Sequence, residues 1–388
     1  MAAHIDSKLP DVGTTIFTVM SSLAAEHDAM NLSQGFPDFD GPQALLDRVR
    51  HYVSSGANQY APMVGVPALR QAVAAKVADA YGRQVCSDNE VTILSGATEG
   101  LFCAISAVVR RGDEVILIDP AYDSYEPVVR LCGGVARRVP MRRAAADQPY
   151  AVDWQAVADA IGPNTRAIVT NSPHNPTGMA FDRADLEALA DLVDRHGLYV
   201  ISDEVYEHIV FDEQPHRSVL SDDRLHERSF AVFSFGKTYH TTGWKIGYCV
   251  APPALTAELR RIHQFVTFTS HTPTQLALAD FLRDCPEHHQ QLSAFYQAKR
   301  DRFIEGLTGS RFSLVPSAGT YFQLLNYERL SSEQDLELAR RWTIEAGIAS
   351  IPLSPFFAEP NQALTELRFC FAKDDATLDR ATEILCQL

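Results

Sequence analysis

The chain has 388 residues, 46% of them hydrophobic, enough to bury a large core and to divide into two domains. Its 34 basic residues stand against 49 acidic ones, and a net charge of −15 argues against nucleic acid or an anionic membrane surface as a partner. No apolar run is long enough to span a bilayer, no signal peptide opens the chain, and the seven cysteines show no Cys-x-x-Cys spacing, so a cytoplasmic protein with reduced thiols is expected.

In chain order, Val91–Leu94 reads as a strand, followed by the turn Ser95-Gly96-Ala97-Thr98-Glu99-Gly100 and an apolar helical run from Leu101 to Val109. Strand, small-residue turn and helix together aim backbone N–H groups and a helix dipole at a phosphate. Many strand–helix turns look the same, so this stretch is informative only in company. Glu114–Ile118 is the next strand, with Asp119-Pro120-Ala121-Tyr122-Asp123-Ser124-Tyr125 after it. Ala167–Thr170 leads into Asn171-Ser172-Pro173-His174-Asn175-Pro176-Thr177-Gly178. Two X-Pro steps and a glycine fix a turn at that strand's carboxyl end. Turn chemistry accounts for the prolines and the glycine, but it has no need of the Asn175 amide.

Arg183–His196 reads as a helix, and Leu198–Ser202 as a strand that ends in Asp203. A carboxylate there can pair with a protonated ring nitrogen; capping the next helix is the competing role. Phe230–Phe233 and Gly247–Val250 are strands, and between them runs Ser234-Phe235-Gly236-Lys237-Thr238-Tyr239-His240-Thr241-Thr242-Gly243-Trp244-Lys245-Ile246. A lysine amine becomes a nucleophile towards carbonyls when its surroundings lower its pKa. Neighbouring cations do that, and a phosphate pocket needs such cations. The segment therefore suits Lys237 in Schiff-base linkage to a phosphorylated aldehyde cofactor. A lone lysine in such a loop is more often simply solvated.

Strands alternating with helices predict a mostly parallel sheet covered on both faces. Ligands bind such sheets at the carboxyl ends of the strands, where Ser95, Tyr122, Asn175 and Asp203 fall. The last hundred residues read as helix Pro286–Leu307, strand-like Phe312–Val315, Gly319–Leu325 and Glu366–Phe371, and helix Glu333–Ala346. The expected organisation is α/β: a large domain over 46–284, and a smaller α+β domain built from 1–45 with 285–388. A site at the interface of the two is then expected, and the smaller unit can close over a substrate. Cys285, His288 and His289 read as a solvated loop, and no metal is expected. His240 and His271 read as structural polar residues.

Four motifs in this order resemble the pyridoxal phosphate-dependent aminotransferases of class I/II, fold type I. The resemblance runs from Asn31-Leu32-Ser33-Gln34-Gly35-Phe36-Pro37-Asp38-Phe39 to Leu367-Arg368-Phe369-Cys370-Phe371, nearly the whole chain. The Gln34–Phe39 stretch, the Asp119–Tyr125 stretch and the lysine motif are most similar to the subgroup of methionine aminotransferases and kynurenine aminotransferases (glutamine transaminase K). The resemblance implies pyridoxal 5'-phosphate as cofactor, amino-acid and 2-oxo-acid substrates, and a homodimer with shared active sites. It makes Lys237 the Schiff-base lysine and proton shuttle, pairs Asp203 with the pyridine nitrogen, and stacks Tyr122 on the ring, these three being the catalytic residues. Asn175 and Tyr206 go to the ring oxygen, and Gly96, Ala97, Thr98, Ser234 and Lys245 to the phosphate. Tyr60 reaches the site of the neighbouring subunit, for both cofactor and substrate. Arg368 takes the substrate α-carboxylate as a two-pronged ion pair, assisted by Asn175 and the backbone at Gly35. One departure is Lys245, where many members carry arginine in the pattern Gly-x-Arg-x-Gly; lysine lacks the two-pronged grip.

The candidate side-chain pocket is Phe17, Phe36, Tyr60, Tyr122, Phe268 and Tyr321. Its aromatic character, and the lack of a second matching arginine, point to methionine or another large apolar or aromatic donor in a ping-pong transamination. Kynurenine transamination and β-elimination of cysteine conjugates are the alternatives on the same scaffold. A catalytically inactive regulator is disfavoured, since no basic helix-turn-helix is present.

Overall fold

The computed structural model describes residues 5–145, 147–359 and 364–388. Its centre is a seven-stranded sheet in the order Val91–Leu94, Gly247–Val250, Ser229–Ser234, Tyr199–Asp203, Thr165–Asn171, Glu114–Asp119, Val135–Pro140. Gly247–Val250 is antiparallel to both neighbours, and the other pairings are parallel, so six strands end on the same edge. Alternate residues feed opposite faces, as a pleated strand requires. Val115 and Leu117 join one buried cluster and Ile116 and Ile118 the other; Val169 and Ile168 divide in the same way. Burial on both faces is why these strands read as continuous apolar runs.

Val135–Pro140 escapes that pattern. It is the edge strand: Val135 to Arg138 alternate between exposed and half-buried, and Val139 alone is buried. Arg137 and Arg138 extend from it to Glu114 and Asp119 on the neighbouring strand, so its sequence, Val-Ala-Arg-Arg-Val-Pro, looks like a loop.

The remaining strands form two small sheets. Phe322–Asn326, Glu366–Cys370 and Ile351–Pro352 are antiparallel, and Met30–Asn31 pairs in parallel with Ile348–Ala349. Residues from helices Ile16–Glu26, Leu292–Gly306, Asp335–Glu345 and Asp375–Cys386 cover them in one buried cluster, among them Met20, Phe303, Trp342 and Leu378. Val205, Tyr206, Ile209 and Phe211 belong to that cluster too, although they lie within 46–284. The expected domain ranges also include residues 1–4, 146 and 360–363, which lie outside the described residues.

Two expected elements differ. The helix expected over Pro286–Leu307 is two helices, Glu287–Gln290 and Leu292–Gly306, with Gln291 ending the first at φ −91° and ψ −3°. Phe312–Val315 does not form a strand: Ser313 alone exchanges backbone hydrogen bonds with Asn326, at 3.1 and 2.8 Å, and Pro316 follows. Proline has no N–H with which to extend a ladder.

Candidate active site

A cavity of about 340 Å³ opens where the carboxyl ends of the large sheet meet Phe322–Asn326 and Glu366–Cys370. Its residues come from every stretch that the motifs single out.

At one end, the helix Gly96–Val108 starts immediately after the strand Val91–Leu94 and presents Gly96, Ala97 and Thr98 to the cavity. Ser95 occupies the capping position, but its side chain makes no capping bond, so it does not consume the first helical N–H groups. Gly96 sits at φ +79°, a region that suits glycine, and the Lys245 side chain passes 3.4 Å from where a Cβ would stand. Ser234, Thr242 and Lys245 complete this end. The Ser234 hydroxyl also accepts the Lys237 backbone N–H at 3.4 Å, which fixes the short helix Phe235–Thr238.

Lys237 occupies the middle. Its Nζ donates to the Gly35 carbonyl at 3.1 Å and lies 5.7 and 5.5 Å from the ring centres of Tyr206 and Tyr321. Burial brings its amine down to about 8, and the positive field of Lys245 and Arg368 adds to that. Asp203 stands at the end of its strand, buried. Burial pushes its carboxyl up to about 6, against the opposing pull of Tyr125, whose hydroxyl donates to Oδ2 at 2.6 Å, and of the Val205 N–H at Oδ1, 3.4 Å away. Asn171 braces this strand end by donating to the Asp203 carbonyl at 2.9 Å, and its Oδ1 accepts the Asn175 N–H at 2.8 Å.

Arg368 lies at the other end. Nη1 donates to Asn175 Oδ1 and Nη2 to the Ser33 carbonyl, both at 2.7 Å, while Nε has no partner. An unpartnered buried N–H is costly in an apolar setting, and here the guanidinium also lies 5.1 and 3.8 Å from the ring centres of Phe17 and Phe322. Burial lowers its pKa to about 10, which leaves it charged at neutral pH. Phe17 comes from the helix Ile16–Glu26, and Gln34 Nε2 holds its carbonyl at 3.0 Å. Tyr122 is 6.1 Å from Phe17, centre to centre.

Of the expected residues, Gly35, Gly96, Ala97, Thr98, Phe17, Tyr122, Asn175, Asp203, Tyr206, Ser234, Lys237, Lys245 and Arg368 all line this one cavity. Tyr60 does not. It is 84% exposed and packs edge-on against Phe268 in a separate surface cleft with Gln59 and His271. Two aromatic pocket candidates also fall outside: Phe36 is partly exposed against Lys373, and Phe268 is partly exposed beside Tyr60. Tyr321 is buried behind the wall, where its hydroxyl donates to the Gly35 carbonyl at 2.6 Å.

Sequence reasoning missed Phe322, Tyr125, Asp123, Asn171 and Thr15 as cavity residues. Tyr125, Asp123 and Asn171 lie inside motifs that had been singled out, but nothing local marks which side chains of a motif turn inward. His240 and His271 lie outside the cavity and bond Tyr296 at 3.0 Å and Thr274 at 2.8 Å. His288 binds the Thr238 carbonyl at 3.1 Å from a short helix rather than a loop, and no metal-binding group of three ligands occurs among the described residues.

The donor set fits a phosphorylated pyridine aldehyde. It combines a helix start without a side-chain cap beside Lys245, a buried amine whose pKa is lowered, a buried carboxylate without an ion pair to a basic side chain, and a guanidinium with one N–H free. Residues 27–385 match the aminotransferase class I and II family. The chain is 52% identical over 382 residues to the methionine aminotransferase of Escherichia coli K12, covering 98% of each. A solved Escherichia coli structure, described as identifying a methionine aminotransferase function, superposes at a TM-score of 0.96, with 51% identity across 100% of both chains. N-succinyldiaminopimelate aminotransferase of Mycobacterium tuberculosis superposes at 0.95, with 37% identity over 99% of this chain and 100% of that one. The kynurenine–oxoglutarate transaminase of Dictyostelium discoideum is 33% identical over 410 residues, 97% of this chain and 94% of its own.

Proposed function

The chain belongs to the class I and II aminotransferases, which are pyridoxal phosphate-dependent, and from that premise we propose that its amino donor is methionine or a similarly large apolar or aromatic amino acid. The observation that carries this reading is the wall of Phe17, Tyr122, Val205 and Phe322 beside Arg368, together with the 52% identity to a methionine aminotransferase. Among the lining residues the cations are Lys237, Lys245 and Arg368, and none remains for a side-chain carboxylate. Burying an unpaired carboxylate is costly, whereas each buried methylene gains about 0.8 kcal/mol.

Pyridoxal phosphate, when bound, supplies the carbonyl that receives the amino nitrogen and the ring that withdraws electrons from the donor's α-carbon. Gly96, Ala97, Thr98, Ser234 and Lys245 would hold its phosphate. Asp203, kept ionised by the opposite charge of a protonated ring nitrogen, would keep that proton in place. Tyr122 would cover the ring, and Asn175 and Tyr206 would serve its oxygen. Arg368 grips the donor α-carboxylate and so fixes which bond of the α-carbon faces Lys237. With a pKa near 8, the Lys237 amine is partly neutral at physiological pH, and it can take the α-proton and return it one step later. Phe17 and Tyr122 keep bulk water from that proton.

The test is a donor panel of methionine, phenylalanine, aspartate and glutamate with one fixed 2-oxo acid. Methionine and phenylalanine are expected to lead in kcat/KM; a tenfold lead for aspartate or glutamate removes the apolar-donor reading. Arg368→Lys loses the two-pronged contact. Charged hydrogen bonds are worth about 1.5–3 kcal/mol, so KM should rise roughly 10- to 100-fold for every donor without reordering the panel. Phe17→Ala should instead reorder the panel, weakening the largest apolar donors most; an unchanged order takes Phe17 out of the pocket.

A homodimer is part of the same reading. Tyr60 and Phe268 pack edge-on against each other while 84% and 44% exposed, and Phe265, near Phe268 in sequence, is 86% exposed, aromatic surface of the kind that a partner chain covers. Tyr60 would then act in the partner's site. Mixing a Tyr60→Ala chain with a Lys237→Ala chain is expected to restore part of the activity through hybrid dimers in which one site carries neither lesion. A fully active monomer in sedimentation overturns this. Seven free thiols support a cytoplasmic setting, and no helix among the described residues is long and apolar enough to cross a membrane.

A further inference from the structure

The cavity wall carries two carboxylates, and only Asp203 has been used so far. Asp123 follows Tyr122 and lines the same space, partly buried. Burial pushes its carboxyl up, against the field of Arg368 and the smaller pull of its own backbone N–H. Arg368 acts on it only through its field, since Nη1 and Nη2 go to Asn175 and Ser33. Asp123 is therefore an ionisable group without a partner side chain, set in the wall of a substrate cavity.

We propose that Asp123 is a charge filter: it excludes amino acids and 2-oxo acids that carry a carboxylate on the side chain, and it confines the enzyme to substrates with neutral side chains. This rests on the apolar-donor reading and names its physical agent. A substrate's α-carboxylate is compensated by Arg368, but a second carboxylate would enter a partly dehydrated space that already holds one. Two carboxylates in such a space cannot both stay ionised cheaply. Lys245 would be occupied by the cofactor's phosphate and Lys237 by the donor's α-proton, so neither would relieve the conflict. Specificity then comes from a repulsive element as well as from an apolar fit.

The experiment compares the wild-type holoenzyme with Asp123→Asn and Asp123→Glu. One readout is the glutamate-to-methionine ratio of kcat/KM with a fixed oxo acid. The other is equilibrium binding, by calorimetry, of glutarate against hexanoate, neither of which can react. In Asp123→Asn both ratios are expected to rise about tenfold, while Asp123→Glu keeps the wild-type ratios. A rise below threefold in Asp123→Asn, or equal behaviour of the asparagine and glutamate variants, overturns the filter. Asp123→Ser gives the same reading if the asparagine variant does not fold. If the wild type itself favours glutamate over methionine, the apolar-donor reading falls; if it favours methionine and the ratios stay fixed in Asp123→Asn, the filter alone falls.

Discussion

Lys237→Ala should leave a folded chain that still binds pyridoxal phosphate but neither fixes it covalently nor turns over amino acids. The variant removes both the nucleophilic amine and the proton carrier. Proton transfer by a positioned side chain alone is worth about 10²- to 10⁴-fold, so the loss in single-turnover rate with methionine should reach at least about 10³-fold. Binding should survive through Lys245, Ser234 and the helix start at Gly96, none of which depends on Lys237 Nζ. The check is borohydride reduction followed by mass spectrometry, together with single-turnover kinetics. A cofactor still fixed to the protein, or turnover near that of the wild type, removes Lys237 from the centre of the site. The pH dependence has a defined sign. Only the neutral amine attacks a carbonyl, and burial brings Lys237 to about 8. Covalent capture of the cofactor by the wild-type apoenzyme should therefore accelerate as pH rises through 8 and level off above it.

Asp203→Asn should cost about 10²-fold or more in kcat, the usual cost of removing one preorganised electrostatic group. An amide cannot hold a protonated ring nitrogen as a carboxylate does. The same substitution should not harm the fold of the apoenzyme, and the reason is one of linkage. Burial raises Asp203 from 3.8 to about 6, so the folded chain binds that proton more tightly than the unfolded chain. The resulting stabilisation is complete below pH 3.8 and lost as pH rises through 6. At pH 8 the buried carboxylate is a burden, and Asp203→Asn should keep or raise Tm while activity collapses. A rate change of only a few-fold, or a large fall in Tm at pH 8, would contradict this account.

Much of the site was legible because its parts are short and local. Gly96–Thr98, Asn175, Asp203 and Lys237 each lie at or just beyond the end of a strand of the large sheet, three of them in turns rich in Gly, Pro or Ser, so their places could be read locally. Other parts were not, for a different physical reason. Tyr125 matters through a 2.6 Å bond to Asp203, 78 residues away, and Phe322 through its stacking on Arg368. Such contacts are properties of the assembled fold, and no local periodicity encodes them. Tyr60 shows the converse: the family resemblance pointed to it, but a single chain leaves it on the surface. The edge strand Val135–Pro140 was missed because half of each residue pair faces solvent and its arginines serve neighbouring carboxylates.

The contact between Arg368 and the Ser33 carbonyl spans 335 residues, and that distance sets a timetable for biosynthesis. At about 5–20 residues per second, a ribosome takes roughly 17–67 s to make the second partner after the first. The backbone bond from Cys370 to the Leu32 carbonyl waits equally long. Only in the last part of that interval, once Val250 has completed the large sheet, can Lys237 be in place, and Arg368 is then still to be made. On the proposed roles, the residues for the cofactor are complete before the arginine for the substrate carboxylate, and transamination is expected to wait for the strand Glu366–Cys370.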